Sequence, residues 1–373
     1  MTEDGSRRRP TMADVARAAG VSVMTVSYAY GRPERVSAQA RAKVRAAADR
    51  LGYPGPHPAA RSLRRGRAGS LGVVLGEHLA YAFDDPQASR FLGGVSEVCA
   101  DHGLGLTMLP ITGAPTDIDR VAEAVVDGFV VWTTADDDPV VDAVAATGLP
   151  AVVHGGPRHD ELAFVSMDNE SAARVVAAET FAGARRPAVL SLPMDRTRTP
   201  GLLWGPEPEA ATFPVTRHRL LGMRQAWRDL GGDWSRVLVA VCARNSTDEA
   251  YDVAAGLLAG ADPPDAVAAM SDELALGVLR AADRLGCHVP DEVAVSGWDD
   301  TGYAASAGLT TIAQSLRDQG RDCARLVLGE TPDDPDRGVA WELVRRTSTR
   351  ARRTRSHDQV GAGGRSAGRS RKT

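Results

Sequence analysis

Four places in this chain put acids, hydroxyls or aromatic rings directly behind a short apolar run, a spacing suited to gripping a small polyhydroxylated molecule. Tyr81, Phe83 and Asp84 follow SLGVVLG, and Asp136, Asp137 and Asp138 follow DGFVVW. Ser271 and Asp272 follow DAVAAM, and Trp298, Asp299 and Asp300 follow EVAVSG. Carboxylates accept from vicinal hydroxyls, while an indole covers the apolar face of a sugar ring. An acid in such a place can also simply cap the helix that follows, and Asp272 reads as such a cap. Catalysis is not indicated. The chain has no P-loop, no GxGxxG after the first strand, no GxSxG elbow and no His pair at metal spacing. His154 and His159 fall in a Gly/Pro-rich stretch that reads as solvent-exposed, and no nucleophile–base pair can be named. Cys99, Cys242, Cys287 and Cys323 lack CxxC or CxxH spacing, so small buried thiols in a reducing cytoplasm are expected rather than a zinc site or disulfides. No catalytic residue, metal or cofactor is assigned.

The elements that must position these groups alternate. SLGVVLG, GLTMLP, DGFVVW, PAVVHG, AFVSM, PAVLSL, RVLVAVC, DAVAAM and EVAVSG read as strands. Helical patterns lie between them, around residues 86–101, 118–126 and 139–146 among others. Continuous apolar strands alternating with helices predict buried parallel sheets with right-handed crossovers. There are too many strands for one modest sheet, so two doubly wound subdomains are expected, with a ligand cleft at their strand ends.

The first 53 residues are different in kind. Residues 11–31, TMADVARAAGVSVMTVSYAYG, read as a helix-turn-helix. Thr11 caps a first helix with Asp14 three residues on, and Val15, Ala16 and Ala19 share its apolar face. Gly20 supplies the left-handed residue that ends it, and Ser22 caps a second helix. That helix buries Val26, leaves Val23, Met24, Ser27 and Tyr28 near its exposed start, and stops at Gly31. A third helix opens at Ser37, carries Val44, Ala47, Ala48 and Leu51 on one face, and closes at Gly52. Such a unit can put its second helix into a DNA major groove, although the same pattern serves as a cap or dimerisation module elsewhere.

Charge is segregated along the 373 residues, a length sufficient for two or three domains. Residues 1–67 hold 14 Lys and Arg against 5 Asp and Glu, a net of about +9, which suits phosphate neutralisation. Residues 68–345 hold 21 against 42, and residues 346–373 hold 9 against 1. A duplex would be repelled by the acidic middle, which confines DNA contact to the ends. Residues 54–67, PGPHPAARSLRRGR, pass from a Pro/Gly link into a short basic segment with one apolar Leu63. Such a segment suits a minor groove, with arginines in the negative potential and a leucine wedged between base steps. An ordinary basic linker has the same composition. No apolar stretch resembles a signal peptide or a membrane span, which weighs against an exported binding protein and for a cytoplasmic one.

On TMADVARAAGVSVMTVS, AARSLRRGR, SDELALG and VSGWDDT the chain resembles the LacI/GalR (lactose-repressor-like) family of transcriptional regulators, over about residues 10–349. The resemblance implies a DNA-binding head, a hinge that folds on the operator, and a two-lobed core like that of periplasmic sugar-binding proteins. Thr11, Ser22, Thr25, Ser27 and Ser37 match positions that anchor the head to phosphates, and Val23, Met24 and Tyr28 match base-reading positions. Leu63 matches the intercalating hinge leucine, flanked by Arg61 and Arg64. Arg219, in RHRLLGM, matches the arginine that grips the effector, Asp299 the hydroxyl-binding aspartate, and Ser271 a common polar contact. Trp298 is a further candidate that can face the core instead. Tyr28 stands where the best-known member has arginine, so no bidentate guanine contact is implied there.

The implied organisation is a disordered N-terminus (1–9), a helix-turn-helix head (10–53), a hinge (54–67), an effector-binding and dimerisation body (68–345) and a basic disordered tail (346–373). The implied function is a homodimeric regulator, most often a repressor, on a roughly palindromic double-stranded operator, controlled by a carbohydrate-like effector. A sugar-binding sensor without operator binding is the alternative. Residues 193–214 form an unusually long loop holding Trp204, which either covers the cleft mouth or makes a surface excursion.

Overall fold

The computed structural model describes residues 10–55, 67–76, 81–330 and 339–350, with Tyr81 and Ala82 described in backbone only. The hinge positions Arg61, Leu63 and Arg64, the first nine residues and the chain beyond residue 350 lie outside the described residues.

The head is three helices, α1 (Met12–Ala19), α2 (Val23–Gly31) and α3 (Ala38–Leu51). Short helices are marginal in water, so their ends matter. Thr11 and Asp14 form a reciprocal box: the Thr11 backbone N–H donates to Asp14 Oδ2 at 2.9 Å, and the Asp14 N–H donates to Thr11 Oγ1 at 3.3 Å. Gly20, at φ +66°, ends α1, and Ser22 Oγ then accepts from the Thr25 N–H at 3.0 Å. Val15, Ala16, Val26, Val44, Ala47 and Ala48 make the core. The second helix ends at Gly31 as expected, with Arg32 as its C-cap, and one expectation shifts: Leu51 is 37% exposed at the rim instead of facing the core.

The body has two lobes. In the N-terminal lobe β1 (Ser70–Leu75), β2 (Gly105–Pro110), β3 (Phe129–Trp132), β4 (Ala151–His154) and β5 (Ala163–Val165) form one parallel sheet in the order β2-β1-β3-β4-β5. The C-terminal lobe contains β6 (Pro187–Ser191), β7 (Gly201–Trp204), β8 (Leu238–Val241), β9 (Ala266–Ala269) and β10 (Ala294–Ser296), in the order β10-β9-β6-β8-β7. Only β7 in this sheet runs antiparallel, against β8. The expected two parallel, doubly wound sheets are present. The 193–214 segment supplies the unexpected strand: β7 takes the open edge of β8, with Leu202, Leu203 and Trp204 exposed.

Helices α4 (Tyr81–Asp84), α5 (Pro86–Asp101), α6 (Thr116–Ala122) and α7 (Val140–Ala146) connect the first sheet. The second uses α8 (Asn169–Thr180), α9 (Pro214–Asp229), α10 (Thr247–Leu258) and α11 (Asp272–Leu285). Helix α6 starts before the expected residue 118, because buried Asp117 gathers the N–H groups of Thr112, Gly113 and Ala114. After a short α12 (Gly302–Ser306) and β11 (Thr311–Ala313), the chain returns to the N-terminal lobe as α13 (Leu316–Val327). Leu316, Cys323, Ala324 and Val327 pack there with Leu71, Val73, Phe91 and Val95. A last strand, β12 (Glu342–Val344), pairs antiparallel with β11, so the chain crosses between lobes three times.

Helices α5 and α13 cross at Gly94 and Gly320. A Cβ on Gly94 would overlap the Arg317 carbonyl, and one on Gly320 the Phe91 carbonyl, so only glycine permits this approach. The body also extends past residue 345. Val295 N–H donates to Ser348 O at 2.8 Å, Ser348 Oγ donates back to Val295 O at 2.7 Å, and Arg350 reaches Asp265 O at 2.9 Å. Residues 346–350 therefore belong to the second lobe and not to a disordered tail. The four cysteines are unpaired, and burial pushes the Cys242 thiol up to about 12.

Candidate functional site: an interlobe cleft and an exposed helix face

A cavity of about 130 Å³ lies between the lobes, lined by residues just beyond the carboxyl ends of strands in both sheets. One water needs only about 10–15 Å³, so there is room for a small ring. Thr133 and Gly155 follow β3 and β4, Leu192 follows β6, Ser271 follows β9 and Asp299 follows β10. Parallel sheets leave their crevices at these ends.

Arg219 is fixed there before any ligand arrives. It projects from α9, is buried, and its Nε donates to Asn169 Oδ1 at 3.0 Å. Its Nη1 donates to the Met270 carbonyl, and the guanidinium lies 3.9 Å from the Trp298 ring centroid. Burial lowers its pKa to about 10, with Asp299 opposing that shift, so it stays charged at neutral pH. Burial also pushes the Asp299 carboxyl well above its ordinary range, against the pull of Arg219. Asp299 and Asp300 have φ of +109° and +50°, and two consecutive non-glycine residues on that side of the map mark a strained turn held by its surroundings. The Asp299 N–H donates to Ile312 O at 2.7 Å, and Asp300 pairs with Arg346 at 2.6 Å.

Of the positions expected from sequence, Arg219, Ser271 and Asp299 meet in this cavity. Others do not. Phe83 is 70% exposed and Asp84 is also exposed, because α4 turns both outward. The neighbouring Asp85 takes the place instead. It is buried, caps α5 through the Gln87 and Ala88 N–H groups, and accepts from Asn245 Nδ2 of the other lobe at 2.8 Å. The side chain of Tyr81 lies outside the described residues. Trp298 is fully buried behind Arg219, a platform for the guanidinium and not a cleft wall. Asp272 is not the cap of α11. Ser271 is, accepting from the Leu274 N–H at 3.0 Å, while Asp272 holds Thr301 N and Thr311 Oγ1. Burial raises Asp272 to about 6. Asp136, Asp137 and Asp138 lie outside the cavity lining and face Arg217 and Arg196 of the second lobe.

His154 overturns its expected exposure. It ends β4, is buried, and stacks on Trp132 with ring centroids 5.0 Å apart and planes 9° apart. The long loop contributes Arg198 and Phe213 to the cavity lining, whereas Trp204 faces outward. Sequence reasoning missed Asp85, Gln87, Asn169, Asn245, His154, Gln314 and Gln319, all of which line the cavity. An Asp directly before Pro86 is a helix-cap signal that points to Asp85 over Asp84. The amides carry no local signal.

On the head, Val23 and Met24 are 49% and 60% exposed at the start of α2, and Tyr28 is half-exposed beside Arg35. Thr11, Ser22, Thr25 and Ser37 all remain accessible. Ser27 does not: it is buried on the inner side of α2, next to Val26. Among the described residues there is no group of three or more His, Cys, Asp or Glu placed to hold a metal, and no helix long and apolar enough to cross a membrane.

Residues 11–55 match the model of bacterial regulatory proteins of the lacI family, and residues 182–349 match that of a periplasmic binding protein-like domain. The chain is 36% identical over 312 residues to the HTH-type transcriptional regulator IpsA of Corynebacterium glutamicum, covering 82% of this chain and 86% of the relative. Among solved structures, a LacI-family transcriptional regulator from Corynebacterium glutamicum superimposes with a TM-score of 0.69 at 30% identity, over 92% of this chain and all of that one. The regulator CelR, solved as its cellobiose complex, superimposes with a TM-score of 0.62 at 26% identity, over 91% of this chain and all of that one.

Proposed function

The chain belongs to the LacI family of bacterial regulatory proteins, DNA-binding transcriptional regulators, and on that premise we propose that a small carbohydrate-like effector in the interlobe cleft controls its hold on an operator. The observation that carries this reading is the cleft itself, where Arg219, Asp299, Ser271 and Asp85 converge from both lobes on one cavity. A ligand bridging such groups favours one lobe arrangement over another, and only that difference can shift DNA affinity. The relative solved with cellobiose supports a carbohydrate as the effector class.

In this reading the protein is a cytoplasmic homodimer and a repressor, and not an enzyme. Two heads present α2 to half-sites of a roughly palindromic operator. Thr11, Ser22, Thr25 and Ser37 hold phosphates, while Val23, Met24 and Tyr28 meet base edges, thymine methyl groups foremost. Ser27 serves the packing of α2 instead. The segment carrying Arg61, Leu63 and Arg64 opens the central minor groove, and effector binding weakens DNA binding by separating the two hinges. A coupling of about 1–3 kcal/mol is enough to change affinity up to about a hundredfold.

The test is fluorescence anisotropy of full-length protein on its own upstream intergenic fragment and on random duplex, at physiological salt, with and without sugars and sugar phosphates. Specific binding released by one compound is expected. Equal affinity for both duplexes under every condition would remove the regulator reading and leave the sugar sensor.

A further inference from the structure

A directed string of hydrogen bonds runs along the cleft wall from one lobe to the other. In the second lobe Asp299 Oδ1 accepts from Gln314 Nε2 at 2.7 Å. That turns the Gln314 oxygen the other way, where it accepts from Gln319 Nε2 at 3.0 Å. The Gln319 oxygen is turned in sequence and meets His154 Nε2 of the first lobe at 2.8 Å. With an acceptor oxygen at Asp299, each amide has one orientation, and the string ends by placing the imidazole proton on Nε2. Burial lowers the His154 pKa to about 4, so at neutral pH the ring carries that one proton. Its Nδ1 is then a bare acceptor, buried and without a partner.

A second orphan belongs to another side chain that lines the cavity. Gln87 is buried, and its Nε2 donor has no partner. It stands one turn before Phe91 on α5, and the Phe91 ring lies 4.7 Å from the imidazole. Both Gln87 and His154 line the cavity, and Trp132 and Phe91 hold the imidazole in place. Two side chains of the first lobe that line the cavity thus hold one unsatisfied neutral acceptor and one unsatisfied neutral donor, both shielded by the surrounding packing. A hydroxyl can donate to the one and accept from the other through a single oxygen. A carbonyl or phosphate oxygen has no proton for Nδ1, and an ammonium has no lone pair for the amide.

We propose that His154 and Gln87 together read one hydroxyl of the effector from the N-terminal lobe, with Gln319 and Gln314 as positioning residues that fix the imidazole tautomer. This rests on the effector reading above and narrows it to ring polyols that present a hydroxyl, not a carbonyl or a charged group, to the N-terminal lobe. A site that hydrogen-bonds a hydroxyl rejects the analogue lacking it far more strongly than an apolar pocket rejects a missing methylene.

The experiment is calorimetric titration of full-length protein with D-glucose, D-galactose, D-ribose and cellobiose, their deoxy derivatives, and glucose 6-phosphate. The sugar that binds is expected to lose roughly 10–100-fold in affinity on Gln87→Met and on His154→Phe, and as much in wild type on deletion of one particular hydroxyl. Combining Gln87→Met with that deoxy sugar should cost little more than either change alone. Gln87→Met keeps the side-chain length and removes only the orphan amide, so it decides the matter where His154→Phe fails to fold. Unchanged affinity in Gln87→Met, or losses that multiply for every deoxy sugar, overturns the subsite. So does a failure of all four neutral sugars and glucose 6-phosphate to bind. Specific DNA binding by the same preparation keeps such a failure separate from failure of the regulator reading. Histidine-selective ¹⁵N spectra supply the readout for the string: protonated Nε2 in wild type and mixed tautomers in Gln319→Leu are expected, and protonated Nδ1 in wild type overturns it.

Discussion

The head and the cleft position their working groups over very different chain distances. In the head, Thr11 meets Asp14, Ser22 meets Thr25 and Ser37 meets Ala40, each pair three residues apart. In the cleft, His154 meets Gln319 across 165 residues, Asp85 meets Asn245 across 160, and Arg219 meets Asn169 across 50. The head's geometry is therefore local and survives whatever the body does. The cleft's geometry exists only while both lobes are folded and correctly apposed, which is what allows a ligand there to report on lobe arrangement.

The largest test of this contrast is at the α5–α13 crossing. Gly94→Val would drive a side chain into the Arg317 carbonyl, and a loss of about 3 kcal/mol or more of body stability is expected. The six tryptophans all lie in the body, so urea titration by tryptophan fluorescence follows it alone, while amide exchange in residues 11–52 follows the head. Head protection lost in step with the body would break the claim of independence. Next in size, Arg219→Ala leaves Asp299 buried without its cation. The effector response is expected to fall about a hundredfold or more while basal DNA binding persists in the anisotropy assay. Loss of both together would show that the residue mainly holds the fold.

Smaller effects belong to the head. Met24→Ala should weaken specific operator binding by about 1 kcal/mol, roughly fivefold, and leave random-duplex binding alone. A parallel loss on both duplexes would place Met24 off the bases. Ser22→Ala removes the cap of α2 and should cost about 1 kcal/mol of head stability, read by the same exchange experiment, with effector affinity unchanged. An altered effector affinity in Ser22→Ala would mean that the two regions are coupled even in the absence of DNA.

The same contrast explains what the sequence disclosed. Caps, glycine turns and helical periodicity are short-range signals, so the head was legible almost residue by residue. The exceptions were Leu51, at the fraying end of α3, and Ser27, which lies one residue beyond buried Val26 on a helix too short for its inner face to be drawn sharply. The nine strands read from apolar runs are all present, because parallel strands buried on both faces need nothing but apolar side chains. β7 escaped notice although GLLW is itself an apolar run, because it is short and sits between prolines in a stretch that reads as a loop. In the cleft, Arg219 and Asp299 were found by family resemblance, and Asp85 was missed by one residue because α4 turns Phe83 and Asp84 outward. His154 was misjudged since the glycines after it suggest exposure, although the strand read from PAVVHG already contains it and ends with its ring turned inward. Gln87, Gln314 and Gln319 gave no sign at all. An amide becomes informative only when its neighbours leave one of its atoms unpaired, and no local stretch of chain contains those neighbours.

The glycine crossing has a mechanical consequence. With Gly94 and Gly320 pressed against carbonyls of the facing helix, α13 is welded to the first lobe and has no gap in which to slide. Between that weld and β11 in the second lobe only Gln314 and Ser315 remain, so this strand of the hinge is a pivot two residues long. Gln314 is also the middle link between Gln319 and Asp299. A rotation of the lobes about that pivot would act on the very amide that orients His154, and a ligand hydroxyl that needs the Nδ1 acceptor would favour the lobe angle that keeps the string unbroken.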